Sequence, residues 1–355
     1  MLWKSTMTTF IPVTPLLSTP AATRAIRLRA DIEALALDLA AGERRSRTPA
    51  GVPSEVEDAL ALRFRQLFRD LEAASAELSA ADLDELTALI SARFYPWVAA
   101  SGLADRAVHK PAGYAGDFRT ILMVYADVPC GACWAGRFID ARVLESPAAW
   151  AVKNRRGLLA AEIEATMGAA EAEGRRAQIA SLGAGPAEEL FDVWQRLGDA
   201  DARGRMPLAT LCDMDEGALG HVRARSEAEG CADALQAMPV NLARAALGRS
   251  DDRLADQDLI YSAGLIDYFK DNLLVRLLDW IYDGLRPGGR TVLGNFHPDN
   301  PTRRMMETSL EWVLIHRDED DMRRIFARSR FGADSLRFFF DPSGVNLFVE
   351  ATRLA

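Results

Sequence analysis

A Gly-x-Gly turn near the middle of the chain has the residue types and spacing of a ligand site. Ser181-Leu182-Gly183-Ala184-Gly185 follows a short apolar run and opens a helical segment. The glycines permit a tight turn and let a ligand approach the backbone N–H groups without obstruction by a Cβ. Such a turn fits several classes of nucleotide binder, and the third glycine of the dinucleotide fingerprint is absent. We therefore predict a ligand at Gly183, Ala184 and Gly185 whose class the turn alone leaves open.

An acidic turn ends the next apolar run, with the sequence Cys212-Asp213-Met214-Asp215. A carboxylate there can accept charge-assisted hydrogen bonds from both hydroxyls of a ribose. The alternative is that the acid caps the following helix, a role that suits Asp215 better than Asp213. We predict that Asp213 is a ribose ligand and that Met214 lies beside it.

An unusual loop interrupts the N-terminal part of the chain at residues 109–118, where the sequence is HKPAGYAGDF. Pro and Gly around Tyr114 indicate a specific loop shape. The alternative is a simple helix–helix turn in which Asp117 caps the helix that follows.

These segments need a scaffold, and apolar runs that alternate with helical segments predict one. Strands are expected at 178–182, 208–212, 234–240, 258–263 and 290–294, with a hairpin at 335–351. Alternation implies parallel pairing through right-handed crossovers, with only the hairpin antiparallel. Ligands of such sheets bind beyond the carboxyl ends of the strands, where the glycine and acidic turns both lie.

The first part of the chain carries helical patterns and no strand pattern. We expect residues 1–50 to be irregular because of their prolines, and helices to begin at Ser54, with Glu57 completing a capping box, and at Ser79. The predicted division is a helical lid at 1–150, a linker helix at 151–174 and an α/β core at 175–355.

Composition excludes several classes of function. The net charge of −9 over 355 residues disfavours nucleic acid as a partner and favours a small-molecule substrate. No run approaches the length of a membrane helix, and prolines interrupt the apolar stretch at 10–17, so we expect a cytoplasmic protein without membrane insertion. The oligomeric state stays open between a monomer and a homodimer.

Cys130 and Cys133 have the CxxC spacing of redox motifs and of half a zinc site. No second CxxC is present and the four histidines are scattered. We interpret the pair as reduced thiols in a turn and expect no metal.

The core resembles that of class I S-adenosylmethionine-dependent methyltransferases. The resemblance rests on the strand–helix series, the Leu-Gly-Ala-Gly turn, Asp-Met-Asp, the 258–269 segment and Leu-Arg-Pro-Gly-Gly before a strand. It implies S-adenosylmethionine as cofactor and a doubly wound seven-stranded sheet whose last strand is antiparallel. It also places the methionine part against 183–185 and the ribose on Asp213. It further implies that the adenine lies near Asn241 and Leu242, although the family usually has an Asp near position 241. The floor beside the sulfonium would be lined by Ser262, Ala263, Gly264 and Leu265.

The segment Lys-Pro-x-Gly-Tyr-Ala-Gly-Asp, together with 151–156, is similar to methyltransferases that make the hydroxy-fatty-acid methyl ester signal of plant-pathogenic bacteria. That resemblance implies that the helical region covers the cofactor. Tyr114 and Asp117 then become catalytic candidates, and Arg155 and Tyr268 become substrate contacts.

Further candidates follow the fifth predicted strand. His297 is a candidate base or substrate ligand, with a structural hydrogen bond as the alternative. Glu311, Trp312 and His316, placed on or after the next predicted helix, are within reach of a substrate at that end of the sheet.

Methyl transfer is an in-line displacement that depends on positioning and exclusion of water. A carboxylate acceptor is ionised at pH 7 and needs a cation, for which Arg155, His109 and Lys110 are candidates. An amine or guanidine acceptor instead needs acids and a route for its proton; the candidates are Asp117, Asp267, Glu307 and Glu311. Our first hypothesis is O-methylation of a carboxylate, and the second is N-methylation. A cofactor-binding protein without catalysis and a nicotinamide oxidoreductase remain alternatives.

Overall fold

A computed structural model describes residues 20–198 and 204–354 of the chain. Within them, seven helices precede the first strand. They are α1 (Pro20–Ser46), α2 (Ser54–Ala74), α3 (Ala80–Val98), α4 (Gly102–His109), α5 (Phe118–Ala126), α6 (Trp134–Leu144) and α7 (Pro147–Ala172). None of the helices in these two ranges is long and apolar enough to cross a membrane.

The prediction that residues 1–50 are irregular is wrong for 20–46, which form α1. Leu28, Ile32, Leu35 and Leu39 recur at three- and four-residue steps and are all buried, as an amphipathic helix requires. The prolines of this region lie at the ends of the stripe and do not interrupt it. Residues 1–19, including the apolar stretch at 10–17, lie outside the described residues.

The two predicted helix starts have different outcomes. α2 begins at Ser54, but Pro53 occupies the N-cap position and no side chain caps the helix, so the predicted capping box is wrong. Ser79 does cap α3, since its hydroxyl accepts a hydrogen bond from the Asp82 N–H at 3.1 Å.

The predicted α/β sheet is confirmed: seven strands run in the order β3-β2-β1-β4-β5-β7-β6. Neighbouring strands from β1 to β5 pair in parallel, and β7 is antiparallel to both β5 and β6. The strands are β1 (Gln178–Leu182), β2 (Leu208–Asp213), β3 (Leu235–Pro239), β4 (Gln257–Ser262), β5 (Leu285–Phe296), β6 (Arg337–Phe340) and β7 (Asn346–Thr352). The helices among them are α8 (Glu188–Leu197), α9 (Glu216–Glu229), α10 (Leu242–Ala246), α11 (Asp271–Gly284), α12 (Arg303–Ser309) and α13 (Glu319–Phe326).

Two element boundaries differ from the sequence prediction. β5 has 12 residues and begins at Leu285, so the Leu-Arg-Pro-Gly-Gly segment expected before the strand at 290–294 lies inside it. α12 ends at Ser309, and Glu311 has φ +47°, outside the helical region. Trp312 therefore lies in a segment that is neither helix nor strand, and not on the helix that its apolar neighbours suggested.

Helix α7 connects the two parts of the molecule. Val152 packs in the core of the first seven helices, whereas Leu159 and Ile163 pack with residues of β1 and β4. Arg155 lies between these two sets on the same helix and is buried. The helix therefore carries a cationic side chain to the boundary between the helical part and the sheet.

Candidate functional site

One cavity of about 310 Å³ lies at the carboxyl ends of β1 to β4. The sheet side is formed by the turns that follow these four strands, and the opposite side by α5, α7 and the 109–118 loop. The lining comprises Tyr114, Gly116, Phe118, Ile121, Tyr125, Arg155, Gly183, Ala184, Gly185, Pro186, Glu189, Asp213, Met214, Val240, Asn241, Leu242, Ala243, Ala263, Gly264, Leu265, Tyr268 and Phe269.

The glycine turn after β1 presents backbone to this cavity. Gly183 and Gly185 have φ of +65° and +55°, the left-handed region that glycine adopts without a steric cost. A Cβ built on Gly185 would meet no protein atom within 4 Å. Because Gly185 lines the cavity, a side chain at this position would project into ligand space.

Asp213 connects the glycine turn to the acidic turn. Its buried carboxylate accepts hydrogen bonds from the Gly185 N–H at 2.8 Å and the Asp215 N–H at 2.9 Å. Burial raises the pKa of this carboxyl above its usual value, although the backbone N–H groups oppose that shift. Asp215 instead caps α9 through the Gly217 N–H at 2.8 Å, which is the role expected for it.

The turns after β3 and β4 complete the sheet side. Asn241 caps α10 by accepting from the Arg244 N–H at 3.1 Å, and Leu242 is buried beside it. Ala263 and Gly264 line the cavity, but Ser262 does not: it is buried, and its hydroxyl donates to the Leu182 carbonyl at 2.9 Å. Of the predicted cofactor contacts, the structure gathers all but Ser262 around one cavity.

Arg155 is the one cationic side chain among the described residues that line the cavity. Its Nη1 donates to the Ala263 carbonyl at 3.3 Å, and its buried Nε has no hydrogen-bond partner. The guanidinium also lies near Tyr125, whose pKa is raised by burial to about 12. The bond to Ala263 thus holds the cation at the end of β4, on the wall of the cavity, where it can meet an anionic ligand.

Glu189, which the sequence analysis did not assign, lies in the first turn of α8 and lines the cavity. Its Oε1 accepts a hydrogen bond from the Tyr261 hydroxyl at 2.7 Å. Burial is the main cause that raises the pKa of this carboxyl. Its position directly after the glycine turn was the signal that the sequence offered. An acid in the first turn of a helix also has the ordinary role of stabilising the helix dipole, so this position alone did not distinguish a site residue.

Tyr114 enters the cavity from the 109–118 loop. Its ring meets Tyr268 edge-on, with centroids 6.2 Å apart. Gly116 packs so closely that a Cβ there would lie 2.7 Å from Trp312 Cζ2 and 3.0 Å from the Tyr268 hydroxyl. Trp312 Nε1 donates to that hydroxyl at 2.9 Å. Burial and nearby carboxylates raise the pKa of Tyr114 above its usual value.

Solved structures of similar architecture include a possible exported protein from Bordetella parapertussis, with a TM-score of 0.52 and 16% identity over 97% of this chain and 100% of its own. The S-adenosylmethionine-dependent methyltransferase SibL gives a TM-score of 0.48 at 18% identity, over 95% and 99%. Magnesium protoporphyrin IX methyltransferase from Synechocystis PCC 6803 gives 0.38 at 13% identity, over 57% and 84%. The likeness is one of fold. No protein-family description and no curated protein matches the sequence.

Asp117 does not line the cavity. It is fully buried, caps α5 through the Arg119 and Thr120 N–H groups at 2.9 and 3.1 Å, and pairs with Arg106 at 2.7 Å. Its oxygens are therefore engaged in holding the 109–118 loop, as the alternative interpretation of a helix cap expected.

The predicted residues after β5 also lie outside the cavity lining. Trp312 nevertheless contacts Gly116 and Tyr268, which do line it. His297 is in a separate cleft with Asp299 and Glu319. Glu311 is exposed and pairs with Lys110 at 3.4 Å. His316 packs away from the cavity, and burial lowers its pKa to about 4.

The remaining candidate acids and cations are likewise engaged elsewhere. His109 contacts the carbonyl of Asp105 at 3.0 Å, and Glu307 pairs with Arg303 at 2.8 Å. Asp267 accepts from the Phe296 N–H at 2.7 Å, and burial raises its pKa to about 6. None of these three residues lines the cavity.

The apolar wall opposite the glycine turn was not predicted either. Phe118, Ile121 and Tyr125 recur at three- and four-residue steps on α5 and all line the cavity. This spacing is the same as that of a core-facing helix, so the sequence carried no signal that one of its faces borders a ligand site.

Proposed function

We propose that this protein binds S-adenosylmethionine and transfers its methyl group to a small molecule. The observation that carries the proposal is the meeting of four strand ends at one cavity. The strands β1, β2 and β3 are neighbours in the sheet, and each ends at this cavity. Their ends carry, in that order, the backbone turn at Gly185, the buried carboxylate of Asp213 and the 241–242 turn. Adjacent strands lie about 4.8 Å apart, so these groups form a continuous row along the sheet edge.

The residues present fit that cofactor. The space beside Gly185 is open, which suits close approach of the methionine part to the backbone. Asp213 would hold the ribose hydroxyls, and Leu242 and Asn241 would border the adenine. When bound, S-adenosylmethionine supplies an electrophilic methyl group on a sulfonium.

We propose a carboxylate oxygen as the methyl acceptor, held by Arg155. Arg155 lies over Gly264 and bonds to Ala263, at the end of β4 where the sulfonium floor was expected. A carboxylate is already ionised at neutral pH, so the chain has to orient it and exclude water. The apolar wall of α5 supports that exclusion.

Tyr114 and Tyr268 act in this scheme as hydrogen-bond donors. Burial and nearby carboxylates raise the pKa of both hydroxyls further above neutrality. Each therefore keeps its proton at pH 7, orients a ligand, and does not serve as a base.

N-methylation is the second candidate, and Glu189 is the observation that favours it. This carboxylate lines the cavity and its pKa is raised by burial, which makes it a suitable acceptor for a proton from an amine. The two candidates differ in which of Arg155 and Glu189 faces the acceptor.

We also propose that residues 1–150 form the lid, 151–174 the connecting helix and 175–355 the binding core.

Cys130 and Cys133 are free thiols, which fits a reducing compartment and a cytoplasmic location.

The test is methyl transfer from S-adenosylmethionine carrying a tritiated methyl group. The acceptors offered are a panel of aliphatic carboxylic acids, a panel of primary amines, and a small-molecule extract of the host cells. We expect labelled product that releases volatile methanol on mild alkaline hydrolysis, as methyl esters do. Label that is stable to base would support N-methylation, and absence of transfer to every acceptor would count against an enzyme of either kind.

A further inference from the structure

A second cavity lies one helical turn beyond the first. Ile121 and Arg155 line the first cavity, whereas Val124 and Val152, three residues away on α5 and α7, line the second. Three residues of helix advance about 4.5 Å, so the same two helices border both spaces in succession.

The second cavity is apolar and almost filled. Its volume is about 20 Å³, room for roughly one water molecule. Apart from Ser146, its lining is apolar and includes two methionines. The lining residues are Leu103, Val124, Val143, Ser146, Ala148, Ala149, Val152, Phe296, Met305, Met306, Leu310 and Trp312. Methionine side chains repack readily, so this space can adapt to an apolar group.

Trp312 separates the two cavities. Its indole lines the second cavity and contacts Gly116 and Tyr268, which both line the first. No residue larger than glycine fits at position 116, since a Cβ there would lie 2.7 Å from Trp312 Cζ2. The indole is thus part of the partition between the two spaces.

The backbone fixes this indole in place. Glu311 adopts φ +47° immediately before it, a conformation that costs energy for a non-glycine residue and is concentrated at functional positions. The Trp312 N–H donates to the Met306 carbonyl at 2.9 Å, and Nε1 donates to Tyr268. Three independent constraints therefore hold Trp312 against the end of the first cavity.

We infer that Trp312 is a specificity-determining residue that limits the length of an apolar chain on the acceptor. The inference rests on the proposed function. With its carboxylate on Arg155, the acceptor's chain runs along α5 and α7 toward Val124 and Val152 and stops at the indole. Removal of the indole joins the two cavities and admits a longer chain.

The test measures binding of saturated fatty acids from hexanoate to tetradecanoate by calorimetry, in the presence of S-adenosylhomocysteine. For the wild-type protein we expect affinity to rise with chain length up to a limit and then fall. Trp312→Ala should move that limit by several methylene groups and raise the affinity for the longest chain at least about tenfold, a change easily resolved by this method. Trp312→Phe keeps an aromatic ring at the partition and should move the limit less.

Trp150→Ala is the matched control, because Trp150 is an exposed tryptophan on α7 that lines neither cavity. It should reproduce the wild-type profile. If Trp312→Ala loses S-adenosylhomocysteine binding through misfolding, Trp312→Phe decides the question. An unchanged length limit in a variant that still binds S-adenosylhomocysteine would overturn the inference alone. Wild-type protein that binds S-adenosylhomocysteine but no fatty acid of any length would overturn the inference, and leave standing both the cofactor site and a carboxylate acceptor without an alkyl chain.

Discussion

The guanidinium of Arg155 occupies the space that a side chain at position 264 would need. A Cβ on Gly264 would lie 2.5 Å from Arg155 Nη1, and the same nitrogen bonds to the neighbouring Ala263 carbonyl at 3.3 Å. Glycine at 264 and arginine at 155 are thus linked by packing across the boundary between α7 and the sheet.

Gly264→Ala should therefore displace the Arg155 guanidinium. The clash is with the flexible end of a side chain, so we expect little change in the melting temperature but a fall of about 10- to 100-fold in kcat/KM, equivalent to about 1.4–2.7 kcal/mol. Steady-state kinetics and thermal unfolding check this. Gly168→Ala is the control, because Gly168 lies in α7 with no neighbour within 4 Å of its built Cβ; it should leave kinetics unchanged and stabilise the helix slightly. Equal kinetics for both variants would contradict the role given to Arg155.

Arg155→Met removes the charge and keeps most of the side-chain volume. Hydrogen bonds to a charged group contribute about 1.5–3 kcal/mol, so we expect the acceptor's KM to rise about 10- to 100-fold. The dissociation constant of S-adenosylhomocysteine should stay the same. An equal loss of S-adenosylhomocysteine affinity would show instead that Arg155 holds the carboxylate of the cofactor.

Gly185→Ala tests whether the glycine turn faces ligand. The added methyl group meets no protein atom, and it should therefore obstruct the cofactor. We expect at least a tenfold loss of S-adenosylhomocysteine affinity by calorimetry. Gly174→Ala carries the same kind of strain, since Gly174 has φ +73° and also lacks neighbours within 4 Å, but it lies outside the cavity. If both variants lose stability equally and neither loses affinity, the turn is not a ligand site.

Asp267 should give the protein a stability that falls as pH rises. Burial raises its folded-state pKa from 3.8 to about 6, so between these values the folded protein binds more protons than the unfolded chain, and its free energy of unfolding decreases with rising pH. Asp267→Asn keeps an oxygen for the Phe296 N–H and removes this titration. Relative to wild type, the variant should gain up to about 3 kcal/mol between pH 4 and pH 7, as measured by urea unfolding at each pH. The exposed Asp233→Asn should show no such gain, and a constant difference between Asp267→Asn and wild type would contradict the shift.

Much of the core could be predicted from the sequence because its signals are local. Apolar runs mark β1 to β4 within one or two residues, and the turn chemistry of Gly185 and Asp213 follows directly from strand-end placement. The sequence also indicated that Arg155 and Tyr114 belong to the site, through resemblance and not through spacing.

The missed features depend on tertiary contacts. Ile121 and Glu189 carry ordinary helix patterns, and only the packing of α5 and α8 turns them toward a cavity. Asp117 looked catalytic because its pairing with Arg106 is not visible in the sequence. His297 follows a strand end as expected, but it lines a separate cleft together with Asp318 and Glu319, which are distant from it in the sequence.

Calorimetric titration of the wild-type protein and Asp213→Ala with S-adenosylhomocysteine tests most directly whether the chain binds the cofactor at the proposed site. We expect one binding site per wild-type chain and an affinity loss of about 1–3 kcal/mol in the variant, because charged hydrogen bonds to the ribose are removed. Absence of binding to the wild-type protein, or equal affinity in the two proteins, would contradict this expectation.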